Sequence, residues 1–113
     1  MLKPGPAKRL IVTVNESDRW HGHAVFNALL ELFRNAGLAG ATVSRGIAGF
    51  TGHGSIHTIS LVDLSSDLPV RIEIVDTADA IDRVLPEVCE MVRKGLVDVQ
   101  DTTVIKFAGG DDS

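Results

Sequence analysis

A single cysteine, Cys89, stands in the 113 residues, so no disulfide can form within the chain and a reducing compartment suits it. No apolar run is long enough for a membrane span or a secretory signal, which makes a cytoplasmic location the expectation. Cations are scarce: eleven Lys and Arg against fifteen Asp and Glu leave a formal charge of −4. A nucleic-acid binder needs a basic face to neutralise phosphates, so that class is excluded; a single small anion held by one or two cations is not. Tyrosine is absent. Also missing are a nucleophile motif, a Walker-type glycine loop and an acid–base pair, so a non-enzymatic role is expected. Repeats and low-complexity tracts are lacking too.

What remains is ordinary globular material, 44% hydrophobic and long enough for one domain, read here as 8–107 with flexible ends at 1–7 and 108–113. Residues 8–14 alternate, with Leu10, Val12 and Val14 on one face and Arg9, Ile11 and Thr13 on the other, the pattern of a strand. From His21 to Ala36 the positions Val25, Phe26, Leu29, Leu30, Phe33 and Ala36 form one helical stripe, with Asp18 or Ser17 as its cap and Gly37 as its stop. Residues 41–47 begin as a strand, 56–64 return to extended character and 65–69 make a turn. Val70, Ile72 and Ile74 point one way along a further strand. Ile81, Val84, Leu85, Val88, Cys89 and Val92 then mark a second helix over 78–94. Asp76 or Thr77 would cap it, Gly95 would end it, and Pro86 would kink it near 82–86. Cys89 on that stripe reads as a small buried hydrophobe, and the acids of 76–90 as a solvated face. Two short extended pieces close the chain at 96–107.

The order strand, helix, strand, excursion, strand, helix, strand is that of the α+β ferredoxin-like βαββαβ sandwich, an antiparallel sheet with two helices on one face. No third helix is available for the other face. Ile11 and Val75 there point to cover by a neighbouring subunit.

The excursion holds the candidate functional residues. About twenty residues link the two inner strands, longer than most loops in compact domains, and between Arg45 and Arg71 only Asp63 and Asp67 are charged. A hairpin-like arm is expected. Gly46 and Gly49 bring backbone N–H groups close to a ligand or simply make a turn; Phe50 stacks on a ring or anchors the arm. Arg45 pairs with an anion or with Glu73. Histidines 21 and 23, and 53 and 57, lack the spacing of a structural zinc site, so no metal is expected, although either pair stays open as ligands of a metal-responsive protein. His53 or His57 is the candidate base should the chain be an enzyme.

Taken together, the blocks GLAGATVSRGIAGF (37–50), IHT (56–58), DLPVRIEIVD (67–76) and LPEVCEMVRKGLV (85–97) resemble the PII-like proteins grouped as domain of unknown function 190; NESDRWHGHAVFNALLE (15–31) fits the same pattern. The wider resemblance is to PII signal-transduction proteins. It implies a homotrimer with nucleotide clefts between subunits and a long loop, here about 48–68, that changes with the ligand and contacts a partner, with a membrane transporter or channel as the expected class. Carried over, Gly46 to Phe50 form the cleft wall and Lys94 with Gly95 the turn after the second helix. The departures are specific. The loop root reads FTGHG without Lys, Arg or Gln, Gly95 is followed by Leu96, and a chain without tyrosine has no tyrosine-linked loop modification. A small adenine nucleotide, AMP or ADP, with Arg45, His53 or Lys94 near its phosphate, suits that charge better than a triphosphate. Ferredoxin-like trimers similar to divalent-cation tolerance proteins, and small enzymes with an interface cleft, are the alternatives.

Overall fold

The computed structural model describes residues 1–59 and 67–109. Its frame is one four-stranded antiparallel sheet, made of β1 (Gly5–Asn15), β4 (Thr42–Arg45), β7 (Pro69–Asp76) and β8 (Leu96–Val104) in the spatial order β4-β7-β1-β8. Two helices, α1 (Val25–Asn35) and α2 (Ala78–Met91), lie on one face. This is the ferredoxin-like arrangement that the element order predicts, except that β4, expected as an inner strand beside β7, lies at the sheet's edge, and β1 is β7's inner neighbour.

Alternation decides which side of each strand is buried. Leu10, Val12 and Val14 of β1 stand opposite Ile74, Ile72 and Val70 of β7, and this row packs against Val25, Leu29 and Phe33 of α1 and Ile81, Val84 and Val88 of α2. Each helix contributes residues spaced by three or four, as an amphipathic stripe must. The opposite face has no layer over it among the described residues. It carries Arg9, whose guanidinium lies 2.6 Å from the Glu73 carboxylate, with Arg71 at 3.5 Å from the same acid. Ile11 sits among these long side chains, only 7% exposed.

Several boundaries differ from the sequence reading, each for a local reason. The first strand starts at Gly5, before the expected boundary at residue 8, because Pro6 and Ala7 pair with Thr103 and Thr102. Pairing with β7 begins only at Lys8, so Pro6 sits where β1 has one neighbour, a place that tolerates a residue without N–H. Leu2 and Ala7 are buried as well, so the front of the chain is not a loose tail.

The first helix starts at Val25 rather than His21. Residues 19–24 instead form a hairpin of β2 (Arg19–Trp20) and β3 (His23–Ala24), with Trp20 opposite His23. The two turn residues between them, His21 and Gly22, have φ of 49° and 83°. That doubled positive φ is the signature of the two-residue hairpin turn whose twist matches its strands. Asp18 therefore does not cap the helix; its carboxylate accepts the Asn15 N–H at 3.1 Å, and its carbonyl accepts the Val25 N–H at 2.9 Å.

The second helix stays helical through Pro86 and ends at Met91, three residues before the expected end; Val92 is already extended. Thr77 caps it, its hydroxyl accepting the Ala80 N–H at 3.2 Å. Cys89 is exposed rather than buried, since the stripe turns inward at Val88. Asp76 also departs from the solvated face: it is 4% exposed and accepts N–H groups from Ala39 at 2.8 Å and Thr77 at 2.7 Å. The last segment is one strand, not two pieces. At its edge Asp101 pairs with Lys8, and this hydrogen bond and charge raise the Lys8 pKa above 10.5.

Candidate functional site

The excursion leaves the sheet at Arg45 and doubles back as a small hairpin. β5 (Ala48–Gly49) pairs with β6 (His57–Thr58), and the Ile59 N–H donates to the Ile47 carbonyl at 2.7 Å. A turn closes its outer end, with the Gly54 N–H donating to the Thr51 carbonyl at 2.9 Å and Gly52 at φ 55°. The described part is thus an arm of the expected kind. Extended character expected over 60–64, and the middle of the 48–68 loop, lie outside the described residues, as does most of the expected C-terminal tail.

Both glycines at the arm's root have a packing reason. A Cβ on Gly46 or on Gly49 would lie 2.9 Å from the Pro69 ring, and the Gly46 N–H already donates to the Pro69 carbonyl at 2.7 Å. These glycines let the arm lie flat on the start of β7, and the Gly46 N–H is occupied. Phe50 projects from the root, 62% exposed, with Ile47 at 72% and Ile56 at 71%. His53 lies exposed in the outer turn and His57 is half-buried on β6.

Arg45 does not pair with Glu73, which Arg9 holds. It pairs with Glu16 through two contacts, Nε at 2.8 Å and Nη2 at 3.2 Å. Glu16 belongs to loop 15–18, made of the last residue of β1 and the turn after it, and this loop is the hub of the region. The Thr51 hydroxyl lies 3.3 Å from the Asn15 amide oxygen, and the Ser17 N–H donates to the Asp67 carboxylate at 2.9 Å. From the turn after α2, the Lys94 ammonium lies 3.7 Å from the Asp18 carboxylate. Arg45 and Lys94, distant in sequence, thus meet different carboxylates of one four-residue loop.

Gly95 serves a different purpose from a helix stop. Its φ is 130°, and a Cβ there would stand 2.2 Å from the Thr13 carbonyl oxygen. Its bare backbone lets the turn after α2 press against β1 just before the hub loop.

The hairpin positions Arg19 and Trp20, which the sequence reading gave no role, and His21, which it placed at the start of a helix. Trp20 stacks on His21, ring centroids 4.2 Å apart, and the Arg93 guanidinium lies 5.4 Å from the Trp20 ring centroid. Arg19, Arg93 and Lys94 line a pocket of about 320 Å³ between the hairpin and the turn after α2, with Asp18 as its one carboxylate. The His-Gly dipeptide after Arg-Trp is the signal that could have revealed the hairpin. Among the described residues, no three His, Cys, Asp or Glu side chains converge to hold a metal ion, and no helix is long and apolar enough to cross a membrane.

The family model of DUF190, described as "Uncharacterized ACR", matches residues 7–104. A UPF0166 protein of Methanocaldococcus jannaschii is 35% identical over 101 residues, covering 88% of this chain and 93% of the relative. Another, from Aquifex aeolicus, is 37% identical over 98 residues, with 87% and 92% covered. Among solved structures, CPII from Thiomonas intermedia K12, a nitrogen regulatory PII-like protein bound to ADP and bicarbonate, superposes with a TM-score of 0.64 at 22% identity, covering 92% of this chain and 93% of that one. The fold described above is therefore PII-like.

Proposed function

We propose, from the premise that this chain belongs to the DUF190 family, that it is a PII-like regulatory protein rather than an enzyme. It assembles as a homotrimer, takes AMP or ADP at clefts between subunits, and passes that occupancy to the arm. The observation that carries the reading is the hub loop 15–18, which holds Arg45 through Glu16, Lys94 through Asp18 and the arm through Asn15 and Thr51. Both cations are substantially exposed, and surface ion pairs are worth little, so an arriving phosphate can draw either from its carboxylate. Moving the hub then changes how the arm is fastened. A ligand shifts the arm only through its different affinity for the two arm states.

Ile47, Phe50 and Ile56, exposed together on a thin hairpin, favour a protein as the arm's target, and we assign that target to a membrane transporter or channel. The loop root offers few cations, which favours a mono- or diphosphate over a triphosphate.

A thermal-shift series on the whole protein with AMP, ADP, ATP, cyclic nucleotides and divalent metals tests this reading. A ligand at a hundred times its Kd adds about 2.7 kcal/mol to native stability, so AMP or ADP should raise Tm by several degrees. Light scattering should give the mass of three chains. Flat melting curves with every nucleotide at millimolar concentration would sink the reading, and a response to metals alone would favour a metal-responsive trimer.

A further inference from the structure

We propose that the groove between α1 and α2 is a docking surface for a basic amphipathic helix of a partner protein. This docking goes beyond the nucleotide reading and is independent of it: no residue of the arm, of loop 15–18 or of the turn after α2 lines the groove.

Shape is the first ground. A groove of about 510 Å³ lies between the two helices, and no strand residue lines it. Ala28, Leu32 and Met91 make its half-buried floor, and Leu32 and Met91 rest on the core. Ala28, Leu32 and Ala36 recur at every fourth position, so they line up along α1 over ~12 Å, about two helical turns. Two alanines keep that line low, which lets a third helix approach to the roughly 8–10 Å between axes of packed helices. Met91, unbranched and flexible, adapts to the side chains it meets. Such a groove takes the apolar stripe of a helix, with anchors spaced by three and four.

Charge selects the occupant. Each helix contributes one exposed glutamate, Glu31 and Glu87, and no Lys, Arg or His lines the groove. Among the described residues, neither carboxylate has a cation within ion-pair distance, although Arg34 and Arg83 stand one turn away on the same helices. The two acids do not make a metal site, since no three His, Cys, Asp or Glu side chains converge among the described residues. A helix with Lys or Arg flanking its apolar stripe would meet both carboxylates while covering the floor. A second copy of this chain fits poorly, because a two-fold contact would set the same glutamates of both copies against each other. An anionic membrane surface or a nucleic acid would be repelled. Exposed ion pairs are weak, so the floor supplies the affinity and the glutamates supply the choice of partner.

Calorimetry on the full chain with two synthetic helices tests this. One is a Leu–Lys amphipathic peptide of about 15 residues, near the length at which isolated helices hold in water; the other has every Lys replaced by Glu. The Lys peptide should bind and the Glu peptide should not. Glu31→Gln and Glu87→Gln should each weaken binding about threefold, and the double reversal Glu31→Lys with Glu87→Lys about thirtyfold. Ala28→Gln, which raises the floor without changing charge, should weaken it about tenfold. Glu90→Gln removes an exposed acid of α2 outside the groove and should match wild type. Both groove glutamates are exposed, so their variants should melt like wild type without peptide, which separates lost docking from lost folding. Equal loss in Glu87→Gln and Glu90→Gln would reduce the effect to net charge and overturn the docking surface. Equal binding of the two peptides, or no binding of the Lys peptide at millimolar concentration, would overturn it as well. A mass by light scattering that changes in the double reversal would assign the groove to a second copy instead. AMP binding should be the same in every variant, so this surface and the nucleotide reading fail separately.

Discussion

Gly95→Ala is expected to strip the protein of a large share of its stability. The added methyl would sit 2.2 Å from the Thr13 carbonyl oxygen and 3.4 Å from a Val14 methyl, on a backbone at φ 130° that side chains other than glycine rarely adopt. Thr13 cannot yield easily, because it lies in the central strand, paired to Arg71 on one side and Leu96 on the other. Steric overlap and backbone strain together should cost roughly 4 kcal/mol or more, against the 5–15 kcal/mol typical of a whole domain. Gly40→Ala makes the matched comparison: its methyl meets open space, and it should change stability by less than about 1 kcal/mol. Denaturant midpoints of the two variants check this. A Gly95→Ala protein within about 1 kcal/mol of wild type would mean that the turn after α2 does not press on β1 as described.

Asp76→Ala should be the next most damaging change, at about 3 kcal/mol. The buried carboxylate accepts N–H groups from two segments, Ala39 before β4 and Thr77 at the head of α2. Alanine leaves both donors without their acceptor in a site that water reaches poorly, and each orphaned group costs on the order of 1–3 kcal/mol. Asp76→Asn retains one oxygen and should cost less, about 1–2 kcal/mol. Asp82→Ala, on the exposed side of the same helix, should stay within about 0.5 kcal/mol. Equal denaturation midpoints for Asp76→Ala and Asp82→Ala would contradict this account.

The sheet and its helices were legible because burial there follows simple periods. Leu10, Val12 and Val14 alternate, and Val25, Leu29 and Phe33 repeat every four, so the sequence alone marks the core. Where a backbone turn overrides the period, sequence and structure part. Residues 21–24 fit a helical wheel, yet His21 and Gly22 take left-handed conformations and form a hairpin. Cys89 fits the same wheel by one position, but the helix turns it outward. Asp76 reads as one more surface acid because nothing in the sequence says that the chain at Ala39 returns to meet it.

The candidate site shows the same division. Gly46, Gly49 and Gly95 stood out as special, and each is, though for contacts with Pro69 or Thr13 that no local pattern encodes. Arg45 and Lys94 were identified singly. Their link through loop 15–18 depends on tertiary folding, as does the approach of Arg93 to Trp20.

That last contact makes the protein its own optical instrument. With one tryptophan and no tyrosine, its intrinsic emission comes from a single indole, and that indole touches both His21 and a guanidinium lining the pocket. A nucleotide that moves the turn after α2 would shift Arg93 against the ring and change the indole's surroundings, so fluorescence should titrate with AMP and lose its response in Arg93→Ala. Constant emission at AMP concentrations that calorimetry shows to be saturating would place the ligand elsewhere. Occupancy can therefore be followed without a label.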